Sequence, residues 1–374
     1  MSDDTRDIEE KNGENRDTRS VDRRGFLNFA ARGALAGAAV AATAGMIGCG
    51  DSEEEPRVED EDDIEWDEAT DVVVMGGGGA GLVAAIVAKQ QESEVVVIEK
   101  SDLLGGTTAV SGGQVQASGT ATQQGVVSGD TPEKHAEYWM QASEGVADSD
   151  IIELMAQEAP NSIQFMEDLG LSYSTVYGVS HMPEVDDDLM VPRIHIPQGT
   201  EDDALQGGAL HVDKLKTAAE DLEVDFRMES TVDARVIGDE GEGVVGVRAS
   251  IQGEPTYIRA IKGVVIAAGG FDYNEGMQHA FSPQQLWELE TGVCYCVPQN
   301  QGEGIKLGMA AGGDLASGMS GTIGYPAAVM GANEGINGIW VNIHGQRFVA
   351  EDAHYAYKMR RIFNQQDSLA YAIF

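Results

Sequence analysis

The chain has 374 residues, 42% of them hydrophobic, with 63 acidic against 24 basic side chains and a formal net charge of −39. This length and apolar content support one large or two medium globular domains, while the negative balance argues against nucleic acid, whose phosphates need basic patches. Three cysteines, Cys49, Cys294 and Cys296, are too few for a disulfide framework. No haem, zinc or iron–sulfur spacing surrounds them or the histidines, so no metal site is expected, and Cys294 and Cys296 read as buried thiols.

Residues 1–70 hold 20 of the acidic and 8 of the basic side chains, so most of the acidity belongs to the body. That surface is either heavily solvated and suited to high salt, or an acidic docking face for a cationic redox partner. Within residues 1–50, Arg23-Arg24 precede Phe26-Leu27 and an Ala/Gly-rich run from Gly33 to Gly48. The arrangement resembles a twin-arginine export signal, and the run is too short and weakly apolar for a spanning helix. Met46-Ile47-Gly48-Cys49 reads either as a lipobox, making Cys49 a lipid anchor, or as the end of a plain signal. The expected location is the periplasm or the outer face of the cell membrane. Residues 51–69 read as an acidic, disordered tether.

The next stretch, VVVMGGGGAG at 72–81, follows an apolar run with four glycines. Asp71–Met75 suits a strand buried on both faces. The glycines fit the dinucleotide fingerprint as Gly76-x-Gly78-x-x-Gly81: a tight turn, a backbone approach for a pyrophosphate, and close helix-to-strand packing. Leu82–Lys89 continues as the helix whose N-terminus favours phosphate. Residues 93–100 give a second strand ending at Glu99, 18 residues past Gly81 and placed to accept hydrogen bonds from a ribose. These features leave NAD and FAD undistinguished.

GGTTAVSGG at 105–113 is too long for a tight turn and too polar for a core strand. Its backbone N–H groups, with Thr107, Thr108 and Ser111, could line a planar, polar cofactor ring. Val212–Leu222 reads as a helix, and 224–261 as a β-meander with turns at 239–243 and 252–255. A last apolar strand, GVVIAAGGF at 263–271, breaks at a glycine pair where a doubly wound sheet presents backbone to its ligand.

Together, residues 72–85, 95–113, 231–251 and GVVIAAGGFDYN at 263–274 resemble the FAD-binding domain of the fumarate reductase/succinate dehydrogenase flavoprotein superfamily. The similarity covers about residues 70–374 and implies an α/β fold: a doubly wound, mostly parallel sheet with a β-meander at 70–270, then an incomplete α+β cap at 271–374. It implies FAD held by Gly76, Gly78, Gly79, Ala80, Gly81, Glu99, Lys100, Gly105, Gly106, Thr107, Thr108, Ser111, Gly112, Gly113, the backbone near Val232, Ala268 and Gly269. No histidine lies in 105–113 to make a covalent link, so the flavin is expected to be non-covalent. GEGIKLGMAAGG at 302–313 and GQRFVAE at 345–351 match the cap's landmarks.

The fumarate reductases of this superfamily carry a cap histidine before Pro-Thr and an arginine just past the second landmark. Here those places read Tyr325-Pro326-Ala327 and Glu351-Asp352-Ala353-His354-Tyr355. A dicarboxylate wants cationic clamps, whereas the ketosteroid dehydrogenases carry a tyrosine where Tyr355 stands, which makes it the expected proton-transfer residue. The resemblance thus implies hydride transfer between flavin and a carbon–carbon bond beside an electron-withdrawing group. A 3-ketosteroid-like small molecule is favoured over an unsaturated carboxylate, with an external quinone or redox protein as electron partner. A non-catalytic flavin-binding electron carrier is the reading from another class. The family's closing segment, which returns to the flavin domain, is expected beyond Phe374, so the chain reads as a fragment. Export itself is testable: Arg23→Lys with Arg24→Lys should strand the precursor in the cytoplasm, and unchanged export by fractionation would refute the leader assignment.

Overall fold

Unbroken apolar runs at Val72–Met75 and Val95–Ile98 fold as strands covered on both faces. A computed structural model describes residues 57–374 except 179–180, 200–204, 240–242, 284–285, 292–293, 295, 316–337 and 374. The leader, Cys49 and Tyr325–Ala327 lie outside the described residues.

Strands β1 (Arg57–Asp60) and β2 (Glu68–Met75) lead into helix α1 (Gly79–Gln90) and strand β3 (Val95–Ile98). From Arg57 onward the expected tether is therefore ordered. β1 pairs in parallel with residues 234–237, and its acidic neighbourhood is drawn in by arginines: Glu59 meets Arg248 at 2.9 Å and Glu61 meets Arg259 at 3.0 Å.

After β3 comes a long insert. It runs through α2 (Gly106–Val110), β4 (Val115–Gln116), α3 (Ala121–Gln124), α4 (Pro132–Ala142), α5 (Ser149–Asp168), β5 (Ser172–Tyr177) and β6 (Ile194–Gln198). Its strands form a small sheet in the order β4-β6-β5. Helix α6 (Gly207–Asp221) then begins five residues ahead of the expected Val212. Its first glycines are recruited by tertiary packing on the 105–113 segment, the Gly208 N–H donating to the Ser111 carbonyl at 3.0 Å.

Strands β7 (Asp225–Arg227), β8 (Thr231–Ile237), β9 (Val244–Ile251) and β10 (Glu254–Ile266) complete a seven-stranded sheet of order β1-β8-β9-β10-β2-β3-β7. Two expectations change here. Residues 225–227 do not open the meander but lie beside β3 at the far edge, parallel to it. The meander's last strand and the final parallel strand are one: β10 pairs antiparallel with β9 through Glu254–Arg259 and parallel with β2 up to Ile266, with a register shift between Ala260 and Gly263. One face of the sheet is covered by α1 and α6, where Leu82, Ala85, Ile86 and Leu210 are wholly buried with Val74 and Ile163.

The remaining segment holds α7 (Glu275–Phe281), α8 (Leu286–Thr291), α9 (Glu303–Ala310), β11 (Ile339–Val341), α10 (Tyr355–Phe363) and β12 (Tyr371–Ile373). β11 and β12 pair antiparallel over a small core of Trp340, Val349, Met359 and Ile362. This part clasps the insert. The Arg360 guanidinium donates to Glu144 at 2.5 Å and to Glu184 at 2.8 Å, and the His354 N–H donates to the His181 carbonyl at 2.7 Å.

The insert is braced by a buried ion pair. Arg193 donates to both carboxylate oxygens of Asp130, at 2.8 and 2.7 Å, with both side chains 2% exposed. Gln123 adds a hydrogen bond at 2.6 Å. Burial alone would raise the Asp130 carboxyl, but the hydrogen bonds and charge of Arg193, helped by Gln123, hold it below the usual range. Because the folded value is depressed, the pair's contribution is present above the ordinary carboxylate pKa and lost as pH falls through the lower folded value. Asp130→Ala should cost about 3–5 kcal/mol at neutral pH by chemical denaturation, with the variant and wild-type curves converging in acid.

Candidate functional site

Three chain-distant corners meet at the C-terminal ends of β2, β3 and β10. At the first, Gly76 has φ +99°, and a Cβ there would overlap the Ala267 carbonyl oxygen. A Cβ on Gly81 would overlap the Gly76 carbonyl oxygen, so α1 sits directly on the turn. Gly78 is different. It has φ −73°, and its Cβ would find no chain atom nearer than the Gly105 carbonyl oxygen at 3.9 Å. Packing explains the first and third glycines of the fingerprint but not the second, which borders open space at the N-terminus of a 12-residue helix. That is the cradle a diphosphate requires: bare backbone, amide donors and the positive end of a helix dipole.

Glu99 follows β3 and is 9% exposed. Its Oε2 accepts the Gly77 N–H at 2.7 Å and its Oε1 accepts the Ser101 N–H at 2.7 Å, so the expected ribose acid also fixes the glycine turn. The Ser230 N–H donates to the Glu99 carbonyl at 2.9 Å, which brings the start of β8, two residues before Val232, to the same rim. Lys100 has its ammonium held by Glu303 at 2.5 Å and by the Gln299 carbonyl at 3.0 Å.

The second corner, 105–113, is in part the short helix α2 rather than an open loop throughout. The Gly105 N–H donates to the Gly77 carbonyl at 2.8 Å, and the Gly79 N–H donates to Thr108 Oγ1 at 3.3 Å, tying this corner to the first. A Cβ on Gly106 would come within 3.5 Å of the Gly78 Cα, whereas Gly112 borders open space. Ser111 faces its own segment, its hydroxyl donating to the Thr108 carbonyl at 2.8 Å and accepting the Gly113 N–H at 3.2 Å. Ala80 is exposed in the first turn of α1. At the third corner, the Ala267 N–H donates to the Met75 carbonyl at 2.8 Å, which sets Ala268 and Gly269 beside Gly76.

Tyr355 stands apart from these corners in the chain. It opens α10, is 38% exposed, and its ring lies 4.1 Å from that of His354 between centroids. Burial, then the Lys358 charge, pushes the His354 imidazole down to about 4, so it is neutral at neutral pH. Tyr355 also lies within electrostatic reach of Tyr138, a 4% exposed residue of α4. Burial raises the Tyr138 phenol, Tyr355 adds to that, and Arg193 and Gln116 of β4, three residues past Gly113, oppose it; the hydroxyl itself donates to Met182 Sδ at 3.6 Å. Tyr138 and Gln116 carried no spacing signal. Nor did Asn300 and Asp272, whose buried side chains reach the second and third corners.

The sequence profile described as FAD binding domain matches residues 71–370. The chain is 28% identical over 389 aligned positions to a digoxin reductase of Eggerthella lenta, covering 91% of this chain and 66% of that protein. It is 25% identical to a probable fumarate reductase of Shewanella frigidimarina, over 74% of this chain and 45% of that one. The chain thus spans between about half and two thirds of the curated relatives it matches. Among solved structures, a 3-ketosteroid-Δ4-(5α)-dehydrogenase of Rhodococcus jostii in complex with 4-androstene-3,17-dione superposes with a TM-score of 0.71 at 27% identity, covering 84% of this chain and 68% of the other.

The glycines separate packing from binding. Gly78→Ala should leave thermal unfolding of the FAD-free protein unchanged while weakening FAD at least tenfold, because only the ligand meets the new methyl. Gly81→Ala should lower both, because its methyl meets the chain. Equal FAD affinity in Gly78→Ala and wild type by fluorescence titration would contradict the cradle.

Proposed function

The chain belongs to the FAD binding domain family, with FAD as its cofactor, and on that premise we propose that it is an oxidoreductase acting on a carbon–carbon bond beside a ketone, of 3-ketosteroid-like shape. FAD supplies the hydride-transfer chemistry when bound. The chain's own part is to hold the dinucleotide at Gly78, Glu99 and the 105–113 corner, and to move a proton at the Tyr355 hydroxyl. The absence of a histidine in 105–113 supports a non-covalent flavin.

The observation that carries the ketone is the charge around α10. Arg360 is engaged by Glu144 and Glu184, and Arg347 by Glu351 at 2.5 Å. Arg361 lies over the Tyr357 ring at 4.6 Å, and His354 is neutral. Lys358, one turn along the helix from Tyr355, is buried with its ammonium donating to the Glu351 carbonyl at 3.2 Å, so the cations of this helix are engaged by the chain itself, which does not favour a clamp for a dicarboxylate. A neutral, carbonyl-bearing substrate suits that setting. The twin-arginine leader supports an exported protein, with Cys49 as its lipid anchor and a quinone or redox protein as electron partner; among the described residues no helix is long and apolar enough to cross a membrane.

The test is a purified full-length protein loaded with FAD and mixed anaerobically with a 3-ketosteroid, fumarate or urocanate. Bleaching of the oxidised flavin by a saturated ketone, or reoxidation of reduced flavin by its unsaturated partner, supports the proposal. Turnover with a carboxylate alone moves the substrate class. Cycling only with a protein partner makes the chain a carrier. Tyr355→Phe should keep flavin content and lower kcat by about 10²–10⁴, and wild-type turnover in that variant would place proton transfer on another residue.

A further inference from the structure

Thr107 lies in the first turn of α2, next to Gly106 and hence beside the cradle at Gly78. Its Oγ1 accepts two hydrogen bonds, from the Val297 N–H at 3.3 Å and from Asn300 Nδ2 at 3.2 Å. A hydroxyl has two lone pairs and one proton. With both lone pairs taken the proton must point elsewhere, and among the described residues no acceptor takes it.

The donor that fixes this state is itself fixed. Asn300 is 7% exposed, and its second Nδ2 proton goes to Asp272 Oδ2 at 3.0 Å. Asn300 Nδ2 thus faces both Thr107 and Asp272, and its Oδ1 is turned to the other side, toward Gly269. Asp272 is 6% exposed. On the other side, Asn300 Oδ1 lies 2.6 Å from where a Gly269 Cβ would stand, and Gly269 has φ +76°, so both backbone and space hold that position to glycine. The main chain seats the asparagine as well: its N–H donates to the Val297 carbonyl at 3.0 Å, and its carbonyl accepts the Tyr273 N–H at 2.9 Å.

We propose that Asn300 and Asp272 are positioning residues of the flavin site, which fix the Thr107 hydroxyl as a hydrogen-bond donor toward an acceptor atom of FAD. The inference rests on FAD as the cofactor. Asn300 thereby couples two corners distant in sequence, Thr107 on one side and Gly269–Gly270 on the other. A binding site built this way is set before the ligand arrives, which lowers the ordering cost of binding.

The test is a double-mutant cycle on the intact chain, read as FAD affinity by fluorescence titration and, separately, as thermal unfolding without FAD. Thr107→Val keeps the shape and removes the donor, and should weaken FAD about tenfold, while Thr107→Ser should stay near wild type. Asn300→Ala should weaken FAD by a similar factor in the wild-type background and by much less in the Thr107→Val background. Asp272→Asn, which leaves the volume unchanged and frees the Asn300 amide to turn, should cost about threefold with the same dependence on Thr107; it decides the matter if Asn300→Ala does not fold. Affinity losses of equal size in both backgrounds would make these residues merely structural and overturn the proposal. Unaltered FAD affinity in Thr107→Val would overturn it too. Failure of the wild-type protein to bind FAD would instead overturn the cofactor assignment on which it rests.

Discussion

The nucleotide-binding half depends on one close approach. Helix α1 sits on the turn after β2 so tightly that position 81 has no room for a side chain against the Gly76 carbonyl. That contact sets the direction of the helix, and with it the position of its N-terminal amides over the ends of the parallel strands. It also leaves position 78 as bare backbone facing outward. Leu82, Ala85 and Ile86 then bury the helix against β2, β3 and α6, so that apolar packing holds in place a geometry the glycines permit.

Around this apolar anchor the binding edge is assembled from polar braces. Glu99 holds the glycine turn through Gly77 and its own strand exit through Ser101. Lys100 reaches α9 through Glu303, and Asn300 spans from Thr107 to Asp272. The Glu99 and Asn300 braces satisfy groups that would otherwise be costly to bury, and each of the three gives a direction as well as an attraction. The same logic recurs away from the flavin edge. Arg193 and Asp130 pin the insert, and Arg360 ties α10 to it through Glu144 and Glu184. Tyr355 stands at that second junction, at the start of α10, so its position relative to Tyr138 depends on how the clasp is held.

The strand–glycine–helix–strand–acid order was legible from residues 72–99 because its causes are local. A buried parallel strand needs a continuous apolar run, a turn under a helix needs glycine, and both needs are written at the positions that have them. The long pairings were not legible. Nothing in residues 57–60 asks for a strand until β8 offers an edge and Arg248 offers Glu59 a charge partner. Residues 225–227 resemble a meander strand in composition, yet they pair with β3 across the sheet. The stretch 105–113 looks like a glycine loop, but α6 packs against it and winds five of its residues into a helix.

The sequence by itself determined the dinucleotide-binding character, the acid at the end of β3 and the glycine corners, because backbone sterics and helix-terminus electrostatics act over a few residues. Only the tertiary structure decided which glycine is open to a ligand, which polar groups orient one another, and which carboxylates neutralise the arginines near Tyr355. Those are properties of pairs separated by up to some 200 residues, such as Thr107 with Asn300 or Glu144 with Arg360, and spacing along a chain carries no information about contacts that only folding creates.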